Sequence, residues 1–195
     1  MADSDVFELV FSGGELVVLL GGRRVLVHTP RAPFLCVGLG EPRFRSRHGN
    51  FTIRRGQRWR KSLSRAEVLE HDQGHAEVLF SASGGIAARL TLDVSSKAAG
   101  ADATTGGSDG LLRATLRQEA GAEFNRVWLR LPAGKRESTY GCGQQFSRFD
   151  LRGSRLPLWS GEQGVGRGLN VTTLAANLHS GSGGHWHSTY FPQPS

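Results

Sequence analysis

This sequence has only two cysteines, and it shows neither a long apolar run nor the regions of a secretory signal peptide. The two cysteines, Cys36 and Cys142, form no CxxC pair, which excludes a disulfide framework and the usual ligand spacing of zinc sites. No apolar run approaches the roughly 18 residues of a membrane-spanning helix. Residues 1–5 lack the basic and apolar regions of a signal peptide, so we expect a cytoplasmic protein and no membrane contact.

The sequence also lacks the length of a (β/α)₈ barrel and the motifs of nucleotide-binding or metal-dependent enzymes. Its 195 residues are too few for a (β/α)₈ barrel, which takes about 250. No glycine-rich segment has the GxGxxG or GxxxxGK[ST] spacing of a phosphate-binding loop. The histidine pairs His71/His75 and His185/His187 have no third and fourth ligand at a recognisable spacing. We therefore expect no cofactor and no metal.

Glycine, in contrast, is abundant, with 27 residues against a usual share of about 7%. Gly13-Gly14 and Gly21-Gly22 separate β-prone runs, and such pairs typically form hairpin turns. Short strands at this spacing predict an all-β fold, an antiparallel β-sandwich, with no amphipathic helix longer than two turns. We expect one sandwich domain over residues 1–195, with 95–110 as a flexible loop and 140–195 as glycine-rich, site-facing segments.

The net charge of +7 raises the question of nucleic-acid binding. Between Arg43 and Lys61 lie eight basic residues and no acidic one, with aromatic Phe44, Phe51 and Trp59 between them. This segment could neutralise phosphates and stack on bases. It could equally be a solvated sheet edge whose charges prevent strand pairing between molecules. We favour the sheet edge and leave nucleic-acid binding as the alternative.

Two carboxylates stand in the motif-rich second half of the chain. Asp150 and Glu162 are the candidates for the acid pair that glycoside hydrolysis requires, but nothing in the sequence shows that they converge. The alternatives are that Asp150 caps the turn before Leu151 and that Glu162 pairs with Arg167.

Several segments of this half resemble a known family. They are Asn125–Leu131, Tyr140–Phe146, Phe149–Gly153, Pro157–Trp159, Glu162–Arg167 and Phe191–Pro194. Together they resemble the N-terminal region of sulfoquinovosidases, which are α-glycosidases of glycoside hydrolase family 31. The string Glu-Gln-Gly-Val-Gly-Arg is typical of this branch. The chain departs from the family pattern at Gln144, where an acid is usual, and at residues 185–187.

The resemblance implies a galactose-mutarotase-like β-sandwich that packs on a (β/α)₈ barrel. Both catalytic aspartates belong to that barrel, so this chain contains no catalytic residue and is expected to be inactive alone. The whole enzyme would hydrolyse α-glycosides such as sulfoquinovosides, and the sandwich without its barrel would expose an apolar face. The alternative is a stand-alone carbohydrate-binding or interaction module. The residues implied at the substrate rim or barrel interface are Gln144, Gln145, Arg148, Trp159, Glu162, Gln163 and Arg167.

Overall fold

The computed structural model describes residues 7–47, 50–95, 111–143, 148–156, 158, 170–184 and 191–192, without the side chains of 46, 47 and 50–52. Within these ranges the chain forms strands and one helix. They are β1 (Phe7–Ser12), β2 (Glu15–Leu20), β3 (Arg23–His28), β4 (Leu35–Gly40), β5 (Arg43–Arg47), β6 (Asn50–Arg54), β7 (Gln57–Ser62), β8 (Arg65–His71), β9 (His75–Ser81), β10 (Ala87–Ser95), β11 (Leu111–Gln118), β12 (Arg126–Leu129) and α1 (Val171–His179).

These elements fall into two compact units. The first unit comprises Met1–Glu41 and Gln57–Ala133, and the second comprises Pro42–Gly56 and Gly134–Ser195. The elements β5, β6 and α1 lie in the second unit, and all the other strands lie in the first. The expected extent of one sandwich over 1–195 stays a prediction, as does the flexible loop at 95–110, of which 96–110 lie outside the described residues.

The first unit is built from three antiparallel sheets, ordered β1-β2-β3, β11-β10-β9-β8 and β12-β4-β7. Every second side chain of a strand faces the same side of its sheet. The alternation of apolar and polar residues along the strands therefore determines which side chains enter the core. In β9 the buried residues are Ala76, Val78 and Phe80, whereas their neighbours are partly exposed. Residues from β1, β2, β3, β4 and β10 belong to the same apolar core, together with Phe34 and Leu63 from the connecting segments. The predicted all-β, antiparallel sandwich fold is confirmed.

Two-residue glycine turns join the first three strands, as the sequence predicts. Ser12 pairs with Glu15 across the β1–β2 hairpin, so only Gly13 and Gly14 form the loop, with φ of 58° and 81°. Positive φ at both positions defines the tight hairpin turn that matches the twist of its strands.

One polar ring is built into the apolar core of the first unit. His28 is fully buried, and its ring centroid lies 5.0 Å from that of Phe80. The Phe34 N–H donates to His28 Nδ1 at 3.3 Å, so Nε2 carries the proton and donates to the Ser64 carbonyl, also at 3.3 Å. Burial lowers the pKa of His28, because it penalises the charged ring. The imidazole is therefore held neutral with both nitrogens bonded.

The helix α1 corrects the expectation that no helix exceeds two turns, since it runs for 9 residues at 3.6 residues per turn. The Asn170 side chain starts it by accepting a hydrogen bond from the Thr173 N–H at 2.8 Å. Its apolar residues Val171, Leu174 and Leu178 share one face and are exposed, while Thr173 is buried. The cap supports the helix, since its apolar face is exposed. The i, i+3, i+7 spacing of these apolar residues is that of an amphipathic helix, so the expectation overlooked a pattern that the sequence contains.

Candidate functional site

The motif Tyr140-Gly141-Cys142-Gly143 forms an unusual turn in the second unit. Gly141, Cys142 and Gly143 have φ values of 98°, 64° and 91°. Cys142 is the non-glycine residue with positive φ among the described parts of the chain, and a side chain there costs about 1–2 kcal/mol. The strained turn immediately precedes the predicted rim residues Gln144 and Gln145 in the sequence.

Asp150 is the centre of the hydrogen bonds that hold the loop beyond this turn. Its carboxylate accepts from the Thr139 N–H at 3.0 Å and from the Arg152 N–H at 2.9 Å. The backbone hydrogen bond from Thr139 and then that from Arg152 lower the pKa of Asp150, because they stabilise the charged form. An acid held ionised in this way organises a turn, as the alternative interpretation of Asp150 expected, and is poorly suited to donate a proton.

Arginines bind backbone and hydroxyl oxygens around the same loop. The Arg152 guanidinium donates to the carbonyls of Gly134, at 2.8 Å, and Glu137. Arg148, one of the predicted rim residues, donates to the Ser154 hydroxyl at 3.0 Å. Such bonds fix the loop without a large apolar core, because each satisfies a polar group that would otherwise need water.

An aromatic pair stands exposed on this loop. The rings of Tyr140 and Phe149 lie 4.7 Å apart, within the usual range of aromatic contacts, and Phe149 is 84% exposed. Leu174 and Leu178 of α1 are also exposed apolar side chains of the second unit.

The remaining predicted rim or interface residues lie outside the described residues. These are Gln144, Gln145, Trp159, Glu162, Gln163 and Arg167. Their convergence with Arg148, and the pairing of Glu162 with Arg167, therefore stay predictions.

The basic segment between Arg43 and Lys61 is divided between the two units. In the first unit, Arg58 pairs with Glu41 at 2.6 Å, and Arg60 lies 4.6 Å from the ring centroid of Trp128. Lys61 donates to the Ser83 carbonyl at 3.2 Å. These three of the eight cations therefore contact protein groups, and the choice between a solvated sheet edge and a nucleic-acid patch stays a prediction.

The histidine pair at 71 and 75 is separated by a turn. The Asp72 carboxylate accepts from the N–H groups of Gly74 and His75 at 2.9 and 2.8 Å, and His75 Nδ1 lies 2.7 Å from Asp93 Oδ1. Within the described ranges, no three side chains of His, Cys, Asp or Glu gather as metal ligands would. His185 and His187 are outside those ranges.

A pocket in the first unit was not predicted from the sequence. Trp59, Lys61, Ile86, Gly121 and Glu123 line this open pocket of about 470 Å³. These residues come from three separate parts of the chain, so no local motif could have indicated the pocket.

Comparisons with known proteins address the class of fold. No family model matches the chain. A solved structure of a sulfoquinovosidase of glycoside hydrolase family 31 from E. rectale, bound to an aza-sugar inhibitor, superposes with a TM-score of 0.72 and 27% identity. The superposition covers 96% of this chain and 25% of that one. The fold is therefore that of a β-domain found within a family 31 glycoside hydrolase.

Two curated relatives are sulfoquinovosidases. The sulfoquinovosidase of Escherichia coli (strain K12) is 36% identical over 173 residues, which are 88% of this chain and 24% of the relative. The sulfoquinovosidase of Agrobacterium fabrum (strain C58) is 35% identical over 178 residues, 91% of this chain and 24% of the relative. The resemblance to sulfoquinovosidases is thereby confirmed, and the chain spans about a quarter of the length of these relatives.

The described part of the chain contains no helix that is both long enough and apolar enough to cross a membrane.

Proposed function

We propose that this chain is the β-sandwich part of a retaining α-glycosidase that hydrolyses sulfoquinovosides, and that the catalytic groups lie in polypeptide outside it. The observation that carries the proposal is the 36% identity to a sulfoquinovosidase over 88% of the chain. The match occupies 24% of that relative, so most of the relative's length remains for a (β/α)₈ barrel of about 250 residues.

The chemistry of the described carboxylates supports this division. A retaining glycosidase needs two carboxyl groups about 5–5.5 Å apart, one of them able to give up a proton. Asp150 is fixed as an ionised turn acceptor by Thr139 and Arg152. Because both N–H groups bond to the same oxygen, Oδ1, we assign Asp150 to shaping this loop and the proton donor to another residue.

The exposed apolar side chains of the second unit support the proposal that another domain covers them. Phe149 is 84% exposed, and the exposed side of α1 carries Val171, Leu174 and Leu178. Burying each such side chain would contribute about 1.5–3 kcal/mol. We assign this surface to contact with the catalytic barrel, and we propose a cytoplasmic location for the enzyme.

The test has two arms with a chromogenic aryl α-sulfoquinovoside as substrate. The 195-residue chain assayed alone should give no turnover above buffer. A chimera, in which this chain replaces the matched segment of the Escherichia coli sulfoquinovosidase, should retain turnover that is lost when the segment is deleted.

A matched pair of variants makes the chimera informative. Phe149→Asp should reduce its turnover by disrupting the docking surface, whereas Glu67→Ala, a change on β8 of the first unit, should not. Turnover by the isolated chain would refute the location of the catalytic groups. A folded chimera without activity would refute the assignment to this enzyme.

A further inference from the structure

The pocket in the first unit has the composition of a ligand site that the catalytic assignment does not use. Its volume of about 470 Å³ lies within the roughly 300–1,000 Å³ of small-molecule sites. Trp59 and Ile86 supply apolar walls, Lys61 supplies an ammonium group and Glu123 a carboxylate. Small-molecule sites commonly combine such apolar walls with a few polar groups.

The strand β7 provides one wall of the pocket. Trp59 and Lys61 are two residues apart in β7, so their side chains leave the strand on the same side. Lys61 Nζ is held by the Ser83 carbonyl at 3.2 Å, and an ammonium group has three donors. It can therefore stay in place and still donate to a ligand.

The hairpin that joins β9 and β10 brings Ile86 to the pocket. The Ala82 N–H donates to the Ile86 carbonyl at 2.9 Å, which closes the hairpin next to Ser83 and Lys61. Ile86 also packs against the apolar core of the first unit. This wall is fixed before any ligand arrives.

The third wall is the segment between β11 and β12, which is tied at several points. Glu119 accepts from Arg89 Nε at 2.8 Å, and the Ala122 N–H donates to the Glu119 carbonyl at 3.0 Å. Gly121 has a φ of 83°, and no atom lies within 4 Å of the point that a Cβ would occupy there, so the pocket is open on this side. Beyond Glu123, the Phe124 carbonyl accepts from the Gln118 side chain at 3.2 Å. A wall ordered in this way loses little conformational freedom on binding.

From this composition we propose that the pocket binds a neutral saccharide. The flat indole of Trp59 and the side chain of Ile86 match the apolar C–H face of a pyranose ring. Lys61 can donate to hydroxyl oxygens and Glu123 can accept from hydroxyl groups. Because the lining carries one positive and one negative group, a neutral polyol meets both, whereas an anion would face the Glu123 carboxylate.

This site would be a non-catalytic saccharide site of the first unit. It holds a single carboxylate, Glu123, among its lining residues, whereas glycoside hydrolysis needs two. The inference concerns binding by the 195-residue chain itself and does not depend on where the catalytic groups lie.

The experiment is a titration of the 195-residue chain with methyl α-D-glucopyranoside, followed by ¹H–¹⁵N NMR. We expect saturable shifts of the Trp59 indole N–H and of the Gly121 amide with a dissociation constant of about 1 mM, the range of a few hydrogen bonds and one stacking contact. Glu123→Ala and Trp59→Ala should each weaken binding about tenfold, since each removes a charged hydrogen bond or the stacking wall.

Matched controls separate loss of the site from loss of the fold. Trp128→Ala removes the other tryptophan of the β12-β4-β7 sheet, and Glu67→Ala removes a carboxylate of β8; both should leave the dissociation constant unchanged. If Trp59→Ala fails to fold, Lys61→Met and Glu123→Ala still test the pocket from its exposed side. Absence of shifts at about 50 mM saccharide, shifts unaffected by Glu123→Ala, or preferential binding of a sulfonate over the neutral sugar would each overturn the proposal. None of these results bears on the turnover of the chimera.

Discussion

The two units of this protein place their apolar side chains in opposite ways. The first unit buries fourteen hydrophobic residues in one cluster. In the described part of the second unit the buried residues are Leu151, Thr173 and Gly183, while Phe149, Leu174 and Leu178 are exposed. Since burial of apolar surface is the main force in folding, the first unit holds its own core, and the second unit's described part relies on turns, caps and hydrogen bonds.

This contrast separates two roles of the same chain. The loop around Asp150 is kept in shape by backbone N–H donors and by the Arg152 guanidinium, so it does not need its exposed apolar residues, Tyr140 and Phe149, for folding. Those residues remain available for contact with another surface. We therefore expect the first unit to determine the stability of the chain and the second to determine what it docks against.

The largest effect is expected from matched phenylalanine deletions in the two units. Phe80→Ala removes a fully buried ring that contacts His28 and Phe34, and should lower the free energy of unfolding by about 3–5 kcal/mol. Phe149→Ala removes a ring that is 84% exposed, and should change it by less than about 0.5 kcal/mol. Urea unfolding followed by tryptophan fluorescence measures both. Equal losses would show that the second unit also depends on a core.

Matched glycine substitutions should give the next largest effect. A Cβ at Gly38 of β4 would lie 2.6 Å from the Trp59 carbonyl oxygen and 2.9 Å from the Trp128 ring. Gly38→Ala therefore forces the sheet apart, at a cost of about 1–3 kcal/mol. At Gly134 the nearest atom, a carboxylate oxygen of Glu137, would be 3.5 Å away, so Gly134→Ala should be nearly neutral. Thermal unfolding of the two variants compares them, and an undisturbed Gly38→Ala protein would contradict the close packing of this sheet.

The first unit could largely be predicted from the sequence, because its signals are local. The Gly-Gly turns and the alternation in β9 and β10 depend on residues within a few positions of each other. The alternation of Val127 and Leu129 with Arg126 and Trp128 is typical of a half-buried strand, yet Val127 and Leu129 are exposed in β12 and Trp128 is the more buried residue. Alternation predicts which residues share a face, but only the tertiary fold decides which face is covered.

The candidate sites were harder to predict, for two different reasons. The pocket joins β7, the β9–β10 hairpin and the turn at Gly121, and such long-range proximity leaves no local pattern. The rim residues were identified through resemblance to a family, since neither composition nor spacing assigns them a role.

A smaller effect is expected at the cap of α1 in the second unit. Asn170→Ala removes the acceptor for the Thr173 N–H and should destabilise the helix by about 1 kcal/mol. Asn170→Asp keeps an acceptor at the same position and is the matched control. Hydrogen exchange of the amides in 171–179 should accelerate in the alanine variant and not in the aspartate variant. Faster exchange in β9 would mean that the helix also supports the first unit.

The smallest effects concern pH, and here the two units should differ in the pH range where they weaken. The pKa of His28 is lowered by burial. As the pH falls, the His28 imidazole is therefore protonated near about pH 6.5 in the unfolded chain, but only at a lower pH in the folded chain. The free energy of unfolding of the first unit should therefore fall as the pH drops below about 6.5. The pKa of Asp150 is lowered by the hydrogen bonds from Thr139 and Arg152, so its contribution is present above about pH 3.9 and is lost only as the pH falls through the still lower folded value.

His75 gives the opposite sign and has to be removed for a clean measurement. Its hydrogen bond to Asp93 raises its pKa, so the stability that it contributes is complete below about pH 6.5 and is lost as the pH rises through the higher folded value. In a His75→Gln background, amide exchange corrected for its intrinsic pH dependence should show Leu90 in the core losing protection between about pH 7 and 5. Leu151, beside Asp150, should keep its protection over the same interval. If Leu151 weakened first, the hydrogen-bonded loop would depend on a neighbouring core, and the division of roles between the two units would not hold.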